Sequence, residues 1–466
     1  MTTRREFFGM AAGAALATAA NAQKWNLLMI TNDQHRADCL GCYGNPVIRT
    51  PNTDRLAGEG VRFSNYFVHA PQCVPSRVSL HTGRYPHVHR VPTNSYLLPD
   101  DEETLAKTLN TAGYRTACVG EMPFAPRAYT GGFQQVVASD KEYNRFQTAH
   151  GLHHPATEGP FQAQPAPWTD DLDETAFFAG HARQFLKDTR EQPFFLHVNF
   201  RRPHHPFNPP APFDKMYARA SFPASHARAG EMENKPPQQK AAVENSVGFD
   251  LRTLSAAQLD LVKSYYYGMI SENDKYIGTI LDELKVQGLD DRTVVVFNAD
   301  HGEMLGDHGL LFKGSYMYDG VTKVPLIIRA PGRIAAGTVV DSLVEEVDVM
   351  PTLLELLRVK APVGVQGTSL TALAGNPKAR HKEAVFSEFP TIKMARTREW
   401  KLVHYPKAKY GELYHLSEDP YELTNLWGDA KYAAARAEME GVLFDWYAAS
   451  QDSKRAPVRD PAETAK

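Results

Sequence analysis

Cys73 opens a string, Cys73-Val-Pro-Ser-Arg77 and then Val78-Ser-Leu-His-Thr-Gly-Arg84, whose residue types converge on anion chemistry. Pro75 suits an early helical position, where its missing N–H costs nothing. Cys73 then stands at a helix N-terminus, where free N–H groups and the helix dipole favour negative charge. Arg77 follows one turn later on the same face. A lone Cys is more often a small buried hydrophobe than a reactive group, so the weight rests on the whole string.

Four further polar clusters stand where apolar runs stop. Asn32-Asp33-Gln34 ends the run 25–31, and Gly120-Glu121 ends the run 116–120. Arg201-Arg202-Pro203-His204-His205-Pro206 follows 194–200, and Asp300-His301-Gly302-Glu303 follows 293–298. The carboxylates of Asp33 and Asp300, the Asn32 carbonyl and the His301 imidazole make a donor set for a divalent cation. Mostly oxygen ligands favour Ca²⁺, with Mg²⁺ second, over Zn²⁺. The same two aspartates also suit helix caps, and spacing alone does not choose between the readings. Pro203-His204-His205-Pro206 suits either a rigid loop with solvated imidazoles or a positioned proton carrier. Cys39 and Cys42 form a C-x-x-C, but no second pair completes a zinc site.

Such clusters need a scaffold that brings distant segments to one edge. The apolar runs, with a fifth at 324–329, alternate with helical patterns at 103–112, 176–189 and 259–287. That alternation predicts an α/β fold, a mostly parallel sheet with helices on both faces. In such sheets ligands bind off the carboxyl ends of the strands. Pro-rich and polar stretches at 157–168 and 203–237 read as long loops that shape a site. Beyond Gly367 the texture changes to short strand-like pieces at 384–388, 400–405 and 412–416, then a helix at 431–450. The expected division is a catalytic domain over 23–370 and a smaller α+β domain over 371–466.

The 466 residues, 42% of them hydrophobic, support a large core and a second domain. Acidic residues number 54 against 51 Lys plus Arg, and without a basic tail this argues against nucleic-acid binding. Four Cys are too few for a disulfide framework at this length. Thr3-Arg4-Arg5-Glu6-Phe7-Phe8, an apolar run at 9–20 and Ala20-Asn21-Ala22 read as a twin-arginine signal peptide over 1–22. The apolar run is short for a bilayer span. The expectation is therefore folded export by the twin-arginine machinery to a periplasmic or secreted location, with no stable membrane insertion.

Residues 73–84 are similar to the type I sulfatase signature, C-x-P-S-R followed by L-x-T-G-R. The resemblance continues through residues 26–33, Gly41-Cys-Tyr-Gly44, Thr50-Pro-Asn-Thr-Asp-Arg-Leu56 and Val61-Arg-Phe-Ser-Asn65. It resumes at Asp300-His-Gly-Glu-Met-Leu-Gly-Asp-His308 with Lys313, and at Leu413-Tyr-His-Leu-Ser-Glu-Asp-Pro420 with Glu422 and Asn425-Leu426. It implies an alkaline-phosphatase-like fold, one Ca²⁺, and a Cys73 oxidised to formylglycine by a formylglycine-generating maturation enzyme. It also implies hydrolysis of a sulfate ester, on a sulfated glycan or small molecule. The hydrated aldehyde attacks sulfur in line and the alcohol leaves. The second hydroxyl then loses its proton, which eliminates sulfate and restores the aldehyde. By the same resemblance Asp33, Asp300 and His301 hold the metal with Asn32 and residue 73. Arg77 orients the diol, His204 protonates the leaving oxygen and also binds substrate, and Lys313 contacts the sulfate.

Three positions depart from that family. Sulfatases place G-K-x-H where this chain has Gly120-Glu121-Met122-Pro123, so a cation becomes an anion and a proton carrier is lost. Asn32 replaces an Asp. Glu121 then reads a cation on the substrate, pairs with a nearby Arg, or faces away on a different loop path. Related phosphonate monoester and phosphodiester hydrolases also use formylglycine and lack this Lys, which makes them the alternative activity. A non-catalytic sulfated-glycan binder is the third reading.

Overall fold

A computed structural model describes residues 24–125, 129–153, 163–189, 191–246 and 248–452. The signal-peptide reading of 1–22 lies outside the described residues, as does much of the expected loop at 157–168. Eight strands form one sheet: β1 (Asn26–Asp33), β2 (Val61–Phe67), β3 (Arg115–Gly120), β4 (Gln135–Ala138), β5 (Phe194–Pro203), β6 (Thr293–Ala299), β7 (Lys323–Arg329) and β8 (Thr338–Glu345). Their order is β4-β3-β5-β1-β6-β7-β2-β8. All run parallel except β7, which is antiparallel to both its neighbours.

The helices that cover this sheet are α1 (Pro51–Gly58), α2 (Cys73–Thr82), α3 (Leu105–Thr111), α4 (Glu174–Asp188), α5 (Ala256–Val286) and α6 (Val349–Leu357). Successive residues of a strand point to opposite faces, and β1 shows where each face goes. Leu27 and Met29 join a core with Val78, Leu105, Leu109 and Leu353, from α2, α3 and α6. Leu28 and Ile30 join another with Phe178, Phe185, Ile277 and Ile280, from α4 and α5. Burial on both faces is why β1 and β6 read as unbroken apolar runs. The longest helix, α5, starts at a capping box between Ser255 and Gln258.

The expected mostly parallel sheet with helices on both faces is present. The four strands that end in polar clusters, β3, β5, β1 and β6, are consecutive neighbours in it. Their carboxyl ends therefore line one edge.

A second, antiparallel sheet has the order β12-β11-β10-β9 and comprises β9 (Val385–Phe389), β10 (Ile392–Arg396), β11 (Trp400–His404) and β12 (Gly411–His415). Helix α7 (Ala433–Ala449) packs Met439, Leu443 and Trp446 against Leu402 and Leu413. Lys401 of β11 is fully buried and ties this unit to the large one, bonding the Met317 carbonyl at 3.0 Å and Asp319 at 2.6 Å. Among the described residues no helix is long and apolar enough to cross a membrane.

Gly120 ends β3 with φ +106°, and a Cβ there would lie 2.1 Å from the Asn199 carbonyl oxygen. That close approach lets the Glu121 N–H donate to Asn199 O at 2.8 Å, while Asn199 Nδ2 donates to Glu121 O at 2.7 Å. Gly120→Ala combines a steric clash with a disfavoured backbone and is expected to cost about 3 kcal/mol. A urea midpoint lowered at unchanged slope checks this; a midpoint equal to that of the native protein would show that β3 and β5 separate freely there.

Candidate active site

β2 delivers the chain to the same edge as β1 and β6, and α2 begins there with Cys73. One turn in, Arg77 sits between the two strand-end carboxylates. Its Nη2 donates to Asp33 Oδ2 at 2.5 Å and its Nε to Asp300 Oδ2 at 2.8 Å. Its Nη1 reaches the Met122 carbonyl at 3.4 Å. All three charged side chains are buried. One guanidinium against two carboxylates leaves a negative charge uncompensated where water cannot screen it.

Three further contacts show what would compensate it. Cys73 Sγ lies 3.7 Å from Asp33 Oδ1 and 3.2 Å from His301 Nε2. His301 Nδ1–H donates to the Gly302 carbonyl at 3.0 Å. That fixes the tautomer and aims the Nε2 lone pair at Asp33 Oδ1, 3.4 Å away, and Asp300 Oδ1, 3.8 Å away. A lone pair facing two carboxylates is repulsive, and a cation among them reverses the sign. The ligand atoms of Asp33, Cys73, Asp300 and His301 all lie within 4.8 Å of one another. Two carboxylates and an oriented imidazole therefore fit a divalent cation.

The electrostatics follow the same logic. Burial alone would raise Asp33, but His204, Arg77, Lys313 and His301 outweigh it and hold the carboxyl well below the usual range. Burial, then the Asp33 carboxylate, pushes the Cys73 thiol up to about 12. The helix N-terminus does not overcome that, so the unmodified side chain stays a neutral thiol at neutral pH. Burial, then Lys313, pushes His204 well down against the opposing pull of Asp33. His204 Nδ1–H donates to the His205 carbonyl at 2.5 Å. Lys313 Nζ donates to His204 Nε2 at 2.6 Å.

Asn32 Oδ1 is buried with no hydrogen-bond partner among the described residues. The side chain leaves β1 on the Ile30 side, where its amide meets His35 Nδ1 at 3.0 Å and the His35 ring packs edge-on against Phe297. The residue that sequence reasoning missed is Gln34. Its φ of +65° turns the chain back toward the site. Its N–H donates to Asp300 Oδ1 at 3.0 Å, its Oε1 accepts from Lys313 at 2.6 Å, and its Nε2 donates to Glu303. Nothing in Asn32-Asp33-Gln34 says which neighbour shares the Asp33 face, because a single-residue shift exchanges them.

A cavity of about 410 Å³ opens over Asp33, Cys73, Arg77, Glu121, Arg201 and His204. Glu121 lines it at 8% exposure. Asn94 also lines it and was not singled out in the sequence, while Arg201 stood there only as part of the 201–206 cluster.

Residues 25–359 match the family model Sulfatase, and residues 306–448 match the model N-sulphoglucosamine sulphohydrolase, C-terminal. The chain belongs to the sulfatase family. As a sulfatase it is a sulfuric ester hydrolase of the alkaline-phosphatase-like superfamily, whose members are metal-dependent. An arylsulfatase of Clostridium perfringens is 29% identical over 444 residues, which cover 88% of this chain and 91% of that one. An N-acetylglucosamine-6-O-sulfatase of Bacteroides thetaiotaomicron is 26% identical over 97% of this chain and 91% of its own. The crystal structure of the phosphonate monoester hydrolase of Agrobacterium radiobacter superposes with TM-score 0.83 at 30% identity, covering 92% of this chain and 96% of that one.

Asp300→Asn removes one of the two carboxylates and is expected to lower the bound divalent metal well below one ion per chain, measured by elemental analysis. Chelation should lower the unfolding temperature of the native sulfatase and leave that of the variant unmoved. Full metal content in the variant would exclude Asp300 as a ligand.

Proposed function

We propose that the protein hydrolyses the sulfate ester of a sulfated carbohydrate or small alcohol through a formylglycine made from Cys73, beside a Ca²⁺ held by Asp33, Asp300 and His301. The observation that carries this reading is the position of residue 73. Its Sγ stands in for an oxygen of the hydrated aldehyde, and it sits among Asp33, His301 and Arg77 with the cavity open on its other side. When bound, the cation supplies positive charge at the reacting group.

The chain's own residues supply the rest. Arg77 holds both carboxylates and fixes the depth of residue 73. His204 stands at the cavity wall, bonded at Nε2 by Lys313, placed to reach a leaving alkoxide. Lys313 is long enough to pass a hydrogen bond to a sulfate oxygen as it does to His204 Nε2. The relative from Bacteroides thetaiotaomicron, named for a sulfated sugar, supports the carbohydrate class. A maturation enzyme that forms the aldehyde and folded export by the twin-arginine route to the periplasm or beyond belong to the same proposal, supported by the residue 73 string and the residue 1–22 pattern.

Phosphonate monoester hydrolysis is the second reading, favoured by the superposition on a hydrolase of that class. Such esters carry the same single negative charge as a sulfate monoester. Turnover of an aryl sulfate and of an aryl phosphonate monoester by one preparation separates the two; a phosphonate rate far above the sulfate rate would reverse the ranking.

Mass spectrometry of the tryptic peptide holding residue 73, in protein from its native host, should show –CHO in place of –CH₂SH. Cys73→Ala should lower kcat by about 10³-fold or more. Unmodified Cys73 in fully active protein would remove the nucleophile. His204→Ala should cost about 10²- to 10⁴-fold in kcat on an alkyl sulfate. It should cost far less on a nitrophenyl sulfate, whose leaving group needs no proton. Equal losses on both would deny His204 the acid role.

A further inference from the structure

A second cavity, of about 400 Å³, opens on the other side of the segment that follows Asp300. Its floor is the ring of Tyr43. The Tyr43 hydroxyl is set into the irregularity where β2 and β7 lose register, accepting from the Leu326 N–H at 2.9 Å and donating to the Phe63 carbonyl at 3.0 Å. The ring is thereby fixed to the sheet. The Arg62 guanidinium lies over its face, 4.8 Å from the centroid, and donates to Ser64 Oγ at 3.1 Å. Lys323, at the start of β7, lines the same cavity. Among the described residues neither Arg62 nor Lys323 has a carboxylate within ion-pair distance.

The four acids of the cavity share three cations. Asp38 and Asp307 both pair with Arg36, at 2.6 and 2.8 Å. Asp319 pairs with Lys401 at 2.6 Å and with Arg396 at 3.2 Å, and Glu422 pairs with the same Lys401. Arg62 and Lys323 stand outside these ion pairs, and with them five cations face four carboxylates, a surplus of one positive charge. Burial, partly offset by Asp319, pulls Lys323 below the usual lysine range, so its charge is poorly solvated. On the far side His226 and Tyr421 stack at 3.4 Å between ring centroids and wall the cavity with flat surface.

We propose that this cavity is an oxyanion site, in which a sulfate is held between Arg62 and Lys323 and any group attached to it lies on Tyr43 and the His226–Tyr421 stack. Guanidinium and ammonium donors are the residues that match a tetrahedral oxyanion, and fixed aromatic faces suit a ring carried beside it. The sulfate is either the free ion or one borne on a longer sulfated chain. The site stands independently of the reading of Cys73.

Crystals of the native protein, grown without sulfate and soaked in selenate, test it directly. The expected result is an anomalous peak between Arg62 and Lys323, in addition to any at Cys73. No peak there at about 10 mM selenate, a concentration that saturates a site of millimolar affinity, overturns the site. In solution, equilibrium dialysis should find one labelled sulfate fewer per chain in the Arg62→Gln/Lys323→Gln double variant than in the native protein. Equal stoichiometry also overturns it. Turnover of a small aryl sulfate should stay within about twofold in that variant, since neither residue lines the first cavity. A loss of catalytic size would place both in the active site and refute a separate one. Displacement of the label by a sulfated oligosaccharide identifies the chain-borne source, and failure to displace it identifies the free ion. Because the selenate experiment uses native protein, misfolding of the variant leaves the proposal open to refutation.

Discussion

Two aspartates at the ends of adjacent parallel strands cannot both be ionised in a dry interior without a cation between them, and Arg77 is that cation. Much of the molecule serves its placement. α2 has to enter at the sheet edge at one depth, which Ser76 sets by bonding the Asp300 carbonyl and meeting Glu346 Oε1 at 2.7 Å. Removing one partner of a buried pair typically costs about 3–5 kcal/mol, because the other charge is stranded. The charge left over after Arg77 is what gives the centre its appetite for a metal. A second arginine would have satisfied the aspartates and closed the site.

Much of this was legible from residue types. The runs that became β1, β3, β5, β6 and β7 are apolar enough to be read through, and each polar ending marked a real carboxyl end or its continuation. The strands missed were β2, β4, β8 and β10, which mix polar and apolar residues because one face is only partly covered. The neighbour relation of β3, β5, β1 and β6 was not legible, since strand order depends on pairings between segments far apart in sequence. Positive φ at Gln34 was equally hidden: glycine advertises that conformation and glutamine does not. So the carboxylates, Cys73, Arg77 and His301 were found by type, while Gln34 and the orientation of Asn32 were settled by the path of the backbone.

The active-site cavity carries a specificity signal in its charges. Asp33 and Asp300 share Arg77, and Lys313 bonds His204 at Nε2. Glu121 and Arg201 face the remaining space. A wall holding one acid and one base around an anion-binding centre discriminates by the arrangement of charge on the substrate rather than by its total. The departure from the family pattern at Glu121 thus changes what surrounds the reacting group and leaves the reacting group's own contacts in place.

The reversal of β7 has an architectural consequence. Parallel neighbours must be joined by a crossover, usually a helix laid across a face of the sheet. Because β7 runs against β6, the connection from Ala299 to Lys323 needs no crossover, and besides carrying Asp300, His301 and Lys313 it buries Met304, Leu310, Phe312 and Tyr318 in one core with Val262, Tyr266 and Met269 of α5. Its course is therefore held by α5, and a change in it is felt in the layer beneath. A hairpin connection that is at once site wall and core filler ties the shape of the site to the stability of the fold.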